Sequence, residues 1–496
     1  MDPEPLEAVL EPDAPDAPAL VSAEDGAAVT FAELRERVTA LAGAVSSLGV
    51  ARGDTVCLAL PNGTELIELI LALGCAGVAA APLNPAYTAD EFAFYLGDLG
   101  PRLLLLPERE LAAARSAAGD SVRTLDVASE QGRTVVRGAG GPGAFERGQA
   151  DDVAILLHTS GTTSRPKQVP LLQRNLVASA RSMARHYQLS AEDVSYVAMP
   201  LFHIHGLAGS TFAALVAGGS VVVPRRLAPG RFWQHLGEHG VTWVSAGPTI
   251  HHMLLERAEV PVGSRLRFTR SCSSALSPEL MARSEEIYGV PMLEAYGMTE
   301  ASHEMAANPL PPGARRPGTV GVPTGAQIRI VDSAWHELPD GVAGEVTVSG
   351  PGLTPGYLGN PAANADSFRN GWFRTGDQGV FADGYLRLVG RIKELIIRGG
   401  ENISPGEVEE VLLAHPAVKD AAVFGLPDEK YGEVVAAAVS LGGEADEAEL
   451  IAHCRTRLTP VKVPSIIHVL DEVPRTPTGK LQRRRVAAAI YGESRR

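Results

Sequence analysis

A chain of 496 residues, 45% of them hydrophobic, exceeds what one core organises and can fill at least two domains, which excludes a disordered protein. Its formal net charge of −14 excludes nucleic acid or an anionic membrane as the main partner, since such binding rests on neutralising phosphates. The longest apolar stretches, 66–82 and 213–223, are interrupted by Glu, Gly or Cys and fall short of the roughly 20 residues of a membrane span.

The first 30 residues carry eight acids and no Lys or Arg, the reverse of the basic start of a secretory leader. Cys57, Cys75, Cys272 and Cys454 are scattered without metal-ligand spacing and read as reduced thiols of a cytoplasmic protein. Apolar residues at helical spacing predict a helix over 31–48, a strand over 55–60, a helix over 64–76 and a strand over 78–83 that stops at Asn84-Pro85. The Ala/Gly/Ser-rich stretch 112–148 is expected to be irregular surface chain. The alternation returns with a strand at 153–157, a helix at 171–187 and strands at 195–199 and 241–245. Such βα alternation implies parallel sheets covered by helices.

From 318 to 389 the pattern changes to short strands punctuated by Gly and Pro, at 327–331, 344–349 and 385–389, a β-rich unit with few helices. After Gly390 it is mixed again: a helix over 405–414, capped by Ser404 with Pro405 at its first position, a strand over 417–425 and a helix over 446–458. The expected fold is α/β, with a large N-terminal domain (1–390) of layered βα subdomains plus a β-rich subdomain, and a small α+β C-terminal domain (391–496). The C-terminal part holds 15 Lys plus Arg against 16 Asp plus Glu, so nearly all the excess acid lies before it.

Four motifs carry chemistry. In the first, Thr159, Ser160, Thr162, Thr163 and Ser164 surround Gly161 and are followed by Arg165, Pro166 and Lys167. Backbone N–H groups, hydroxyls and a lysine suit a phosphate, although G-x-x-x-x-G-K-[ST] does not fit; alone, the run reads more readily as a polar surface turn. The second runs Glu294-Ala295-Tyr296-Gly297-Met298-Thr299-Glu300, where an aromatic can stack on a base and a carboxylate can hold Mg²⁺. In the third, Gly371 to Asp377 is followed by Gly390-Arg391 and ends at Arg398-Gly399-Gly400; an Asp can chelate a ribose diol and the Arg can reach the same sugar. The fourth, Pro474 to Lys480, ends on a lysine that by itself reads as a solvated tail residue.

In this order and spacing the motifs resemble the adenylate-forming (ANL) superfamily of acyl-CoA synthetases, nonribosomal peptide adenylation domains and luciferases, over about 31–485. The resemblance implies an AMP-forming acid–thiol ligase that uses ATP, Mg²⁺ and coenzyme A. Thr159, Ser160, Gly161, Thr162, Thr163 and Lys167 then correspond to the phosphate loop. Ser273, Ser274, Ala275, Glu294, Ala295, Tyr296 and Gly297 correspond to the adenine site, and Asp377 and Arg391 to the ribose pair. Thr299 corresponds to an α-phosphate contact, Glu300 to the Mg²⁺ ligand and Lys480 to the catalytic lysine. A mobile C-terminal domain would turn about Lys393, withdraw Lys480 and present Arg398, Gly399 and Gly400 to the pantetheine arm. The context of Lys480 further implies reversible acetylation by an acetyltransferase and deacetylase.

Within the superfamily the segments 157–167, 200–207, 270–273 and 299–303 look most like the oxalyl-CoA synthetase branch, in which His203, Ser273 and His303 would face the second carboxylate. Neutral hydroxyl and imidazole donors, one imidazole open to protonation, suit so small a dianion; for His203 a gating or packing role stands beside this reading. The branch shares Ser164 but carries glycine where this chain has Gln168, and the arginine of malonyl-CoA synthetases is replaced by Glu294 and Ala295. The rival readings are a medium-chain or coumarate-like synthetase, a stand-alone enzyme loading a carrier protein, and an inactive nucleotide-binding regulator.

Overall fold

The computed structural model describes residues 3–141, 143–159, 166–475 and 481–492. Ser160, Gly161, Thr162 and Thr163 of the phosphate motif and Lys480 of the last motif lie outside the described residues.

Helix Phe31–Ser47 begins where the sequence signals it: Thr30 accepts from Glu33 N while Glu33 Oε2 accepts from Thr30 N, a capping box that satisfies two otherwise orphan donors. Thr88 and Glu91 open helix Ala89–Leu99 in the same way. Strands such as Leu103–Pro107 are apolar on both faces because helices cover both.

Among the described residues the N-terminal part forms three sheets. The first has seven strands in the spatial order Arg133–Val136, Thr124–Glu130, Leu103–Pro107, Thr55–Leu58, Ala79–Pro82, Val153–Thr159, Lys167–Leu172, parallel except at its two edges. The second has nine strands, parallel through Met292–Met298, Phe268–Ser271, Trp243–Ala246, Val194–Tyr196 and Ser220–Val223. The third is antiparallel and contains Gln327–Val331, Gly344–Ser349, Trp372–Ala382 and Tyr385–Arg391. One hydrophobic core runs through all three. A smaller C-terminal domain has its own sheet, built on the long hairpin Val418–Asp428/Gly432–Leu441, and its own core.

Three expectations are corrected. Residues 112–148 are not irregular throughout: they hold helix Ala112–Ala118 and two strands that extend the first sheet. The helix expected over 171–187 starts at Gln173, because Lys167–Leu172 is a strand antiparallel to Val153–Thr159. The phosphate motif therefore joins two antiparallel strands and does not lead directly into the helix that begins at Gln173. Ser404 precedes helix Pro405–Leu413 without a side-chain cap; its hydroxyl donates to Val389 O, tying that helix to the last strand of the third sheet.

Candidate functional site

The phosphate hairpin is described at its base, where Thr159 faces Lys167 and His158 faces Gln168. Lys167 Nζ lies 4.2 Å from the centroid of the Tyr357 ring. Partial burial lowers the pKa of the ammonium, which stays next to the Glu300 carboxylate and near Lys393. Tyr357 OH donates to Glu300 Oε1 at 2.9 Å, so cation, ring and carboxylate form one unit. Glu300 is buried and keeps its other oxygen clear of that bond. No group of three or more His, Cys, Asp or Glu among the described residues could enclose a metal. A lone buried carboxylate beside a phosphate site nonetheless fits Mg²⁺, which takes one or two carboxylates and completes its shell with phosphates and water.

Glu300 sits in the turn Thr299–Ala301 of the hairpin Met292–Met298/His303–Ala307, so one hairpin carries Tyr296, Thr299, Glu300 and His303. A bulge at Tyr296/Gly297 re-aims the strand, and a Cβ on Gly297 would stand 2.0 Å from His303 O, so only glycine permits that approach. Tyr296 OH donates to Asp377 Oδ2, and Arg391 Nε lies 2.7 Å from Asp377 Oδ1. Asp377 and Arg391 face each other across neighbouring strands of the third sheet, and the Tyr296–Asp377 bond, between residues 81 apart in sequence, joins this pair to the hairpin that carries Tyr296. Glu294 is buried with Oε2 unpartnered among the described residues, and burial pushes its carboxyl up to about 8. Ala295 is buried beside it; Ser274 and Ala275 are exposed, and Ser273 is half-buried with φ at +79°.

The residues expected to line an acyl pocket, His203, Ser273 and His303, gather around His205. Its ring stacks on that of His303 at 4.7 Å between centroids. Its Nδ1 lies 3.0 Å from Ser273 Oγ and its Nε2 2.7 Å from Ser245 Oγ, and its backbone N–H donates to His203 Nδ1. Burial above all, with the charge of Arg270 nearby, holds both His205 and His303 well below the ordinary imidazole pKa, which favours the neutral form of both rings. His303 takes φ +100°, strained for a side-chain-bearing residue, and its buried Nε2 has no partner among the described residues. The π-helical turn Leu207–Phe212 brings Gly209 under it: a Cβ there would lie 2.5 Å from His303 Nε2. Behind this layer the fully buried Arg270 pairs with Glu304 at 2.7 Å.

Lys393 lies in the short turn Ile392–Glu394 directly after the third sheet. Arg398, Gly399 and Gly400 end one arm of a hairpin within the C-terminal domain, where Arg398 donates to Val461 O and sits over Tyr431. Both glycines have positive φ. Tyr357, Gly209 and Glu304 escaped sequence reasoning, and His205 and Arg270 lay within segments it pointed to without being given a role. Only Arg270 leaves a signal, a charge inside the otherwise apolar or neutral strand Phe268–Ser271.

The chain matches the model of the AMP-binding enzyme family over residues 11–358 and that of the AMP-binding enzyme C-terminal domain over 407–480. It is 44% identical over 466 residues to an oxalate–CoA ligase of Arabidopsis thaliana, covering 89% of this chain and 90% of that one. It is 42% identical over 483 residues to an oxalate–CoA ligase of Saccharomyces cerevisiae, covering 90% and 88%. Its fold superposes on O-succinylbenzoate coenzyme A synthetase from Bacillus subtilis, in complex with ATP and magnesium ion, with a TM-score of 0.86, 31% identity and 98% and 99% coverage. With both family models matched in order and such relatives along nearly its whole length, the chain belongs to the AMP-binding enzyme family and is an acid–CoA ligase of the AMP-forming type.

Proposed function

We propose that this ligase activates oxalate, joining it to AMP and then to coenzyme A. The observation that carries the reading is the stacked His205–His303 pair beside Ser273. It lines the site with polar groups where a fatty or aryl chain would need an apolar channel. A two-carbon dianion needs little room and many donors. The identities to two oxalate–CoA ligases support the same acid.

In the proposed reaction a carboxylate oxygen attacks the α-phosphorus of ATP, an O–P bond forms, and pyrophosphate leaves. Both reactants are anionic, so the barrier is set by positive groups and by holding the reactants in line. Lys167 with the phosphate loop binds the outer phosphates, Tyr296 packs on adenine, and Asp377 with Arg391 holds the ribose. Thr299 meets the α-phosphate and Lys480 bridges it to the attacking carboxylate. Mg²⁺, held by Glu300 and the phosphates, would supply charge neutralisation. The domains meet near 391, and a turn about Lys393 would withdraw Lys480 and bring Gly399 and Gly400 to the pantetheine arm for attack of the thiol on the acyl carbon, releasing AMP. Acetylation of Lys480 by an acetyltransferase would remove its charge and stop the first step. Four buried free thiols support a reducing compartment, the cytoplasm.

The test is AMP release with CoA across a panel of oxalate, malonate, succinate, octanoate and 4-coumarate. Oxalate is expected to give the highest kcat/KM; a higher value with octanoate or 4-coumarate overturns the assignment. Thioester formed with a carrier protein and none with CoA would overturn the thiol.

A further inference from the structure

Behind the acyl pocket four side chains form a line: Arg270, Ser245, His205 and Ser273. Arg270 is fully buried and its guanidinium only donates. Its Nε and Nη2 are committed to Tyr187 and Glu304. Its Nη1 lies 2.7 Å from Ser245 Oγ and 3.4 Å from His205 Nε2. Ser245, equally buried, makes its side-chain hydrogen bonds to these two groups.

The direction of every bond follows. Ser245 Oγ must accept from Arg270, which leaves its own hydrogen one acceptor, His205 Nε2 at 2.7 Å. The reverse arrangement would aim an imidazole N–H at a guanidinium and strand a buried hydroxyl hydrogen, at a cost of about 1–3 kcal/mol. Nε2 therefore carries a lone pair. The single proton of the neutral ring is on Nδ1, which donates to Ser273 Oγ at 3.0 Å. Having accepted, Ser273 has its O–H left over, and that hydrogen finds no acceptor among the described residues. The unpartnered Nε2 of His303 lies in the same layer.

We propose that Arg270, Ser245 and His205 are positioning residues of a one-way hydrogen-bond relay that orients the Ser273 O–H to donate to the far end of the acid. The relay carries the polarity of a buried guanidinium to the pocket without placing a titrating cation there. It selects acids whose distal group only accepts, a second carboxylate or a sulfonate. It favours these over acids of equal size that end in an amide, whose neutral carbonyl accepts a weaker hydrogen bond and whose N–H₂ cannot accept. This deepens the acid–CoA ligase reading and rests on the pocket being the acyl site.

Two measurements test it. In nitrogen-labelled histidine NMR of the intact enzyme, with His205 assigned by the spectrum of His205→Asn, the relay requires the Nδ1–H tautomer. The Nε2–H tautomer overturns the relay whatever the substrate. In kinetics, Ser273→Ala is expected to lower kcat/KM for oxalate by about tenfold or more and that for oxamate by less than about threefold, shrinking a discrimination built on one polar contact. Ser245→Ala is expected to raise the KM for oxalate while the KM for ATP holds, and Ser245→Thr, which keeps the hydroxyl, to restore it in part. Equal losses with oxalate and oxamate overturn the selection. An Nδ1–H tautomer with no change in the KM for any acid in Ser273→Ala overturns the acyl-pocket reading and the proposal with it.

Discussion

Gln168 holds Asp98 twice: its Nε2 donates to the main-chain oxygen and to Oδ2 of Asp98, each at 2.8 Å. His158, directly opposite Gln168 across the hairpin, lies 2.9 Å from the same carboxylate oxygen. Asp98 belongs to helix Ala89–Leu99, so the base of the phosphate hairpin is tied to a rigid element. A glycine at 168 could make none of these side-chain bonds. Gln168→Ala is expected to cost roughly 1.5–3 kcal/mol, the usual worth of hydrogen bonds to a charged group. It should also raise the KM for ATP and leave that for the acid unchanged; denaturant melts and initial rates check both.

Gly209 is the floor on which His303 rests. A methyl group 2.5 Å from Nε2 and 3.0 Å from His205 Cδ2 forces the stacked pair apart. Gly209→Ala is expected to raise the KM for oxalate about tenfold or more, the scale for a misplaced binding group, with ATP binding retained. His303→Ala should raise the same KM. An unchanged KM in both variants would detach the histidine pair from the substrate.

The Arg270–Glu304 pair is buried on both sides, with side-chain exposures of 0% and 1%. Removing one partner strands the other charge. Glu304→Ala is therefore expected to destabilise the fold by about 3–5 kcal/mol, as for broken buried pairs generally, and thermal melts will show it. The loss should exceed that of exposed pairs such as Arg133–Glu36 severalfold, since those are solvated.

Glu294 gives a pH signature. Burial raises its carboxyl to about 8 from the ordinary 4.5, so the unfolded chain releases this proton first. Between those values stability falls as pH rises, and the penalty is complete above the folded value. Glu294→Gln has no such proton to lose. Its Tm should match the parent near the lower value and exceed it near pH 8, by an amount on the order of a few kcal/mol in free energy. An equal gain at both pH values would separate Glu294 from the effect.

Lys480 separates the two half-reactions. Lys480→Ala is expected to abolish acid-dependent pyrophosphate exchange while leaving thioester formation from supplied oxalyl-AMP and CoA. Parallel loss of both steps would contradict a lysine that serves the first step alone.

Much of the fold is legible in the chain because local signals and tertiary demands agree. The capping boxes Thr30/Glu33 and Thr88/Glu91 and the apolar strand Leu103–Pro107 each state their own structure. The strand Lys167–Leu172 misleads because its apolar residues run on into the helix Gln173–His186, and only pairing with Val153–Thr159 separates the two. Residues 124–136 mislead because edge strands with exposed faces lack a continuous apolar signal.

By itself the sequence determined the family, the order of the motifs and the chemistry their residue types can support, since those depend on identity and spacing alone. The tertiary structure decided what surrounds them. The phosphate motif joins the strands of a hairpin held by Gln168 and Asp98, Tyr357 joins Lys167 to Glu300, and His205 stands between Ser273 and His303 in the proposed acyl pocket. Each of these depends on the distance and direction between side chains far apart in the chain, and so does the protonation of a buried imidazole. Such quantities exist only once the sheets have brought those side chains together.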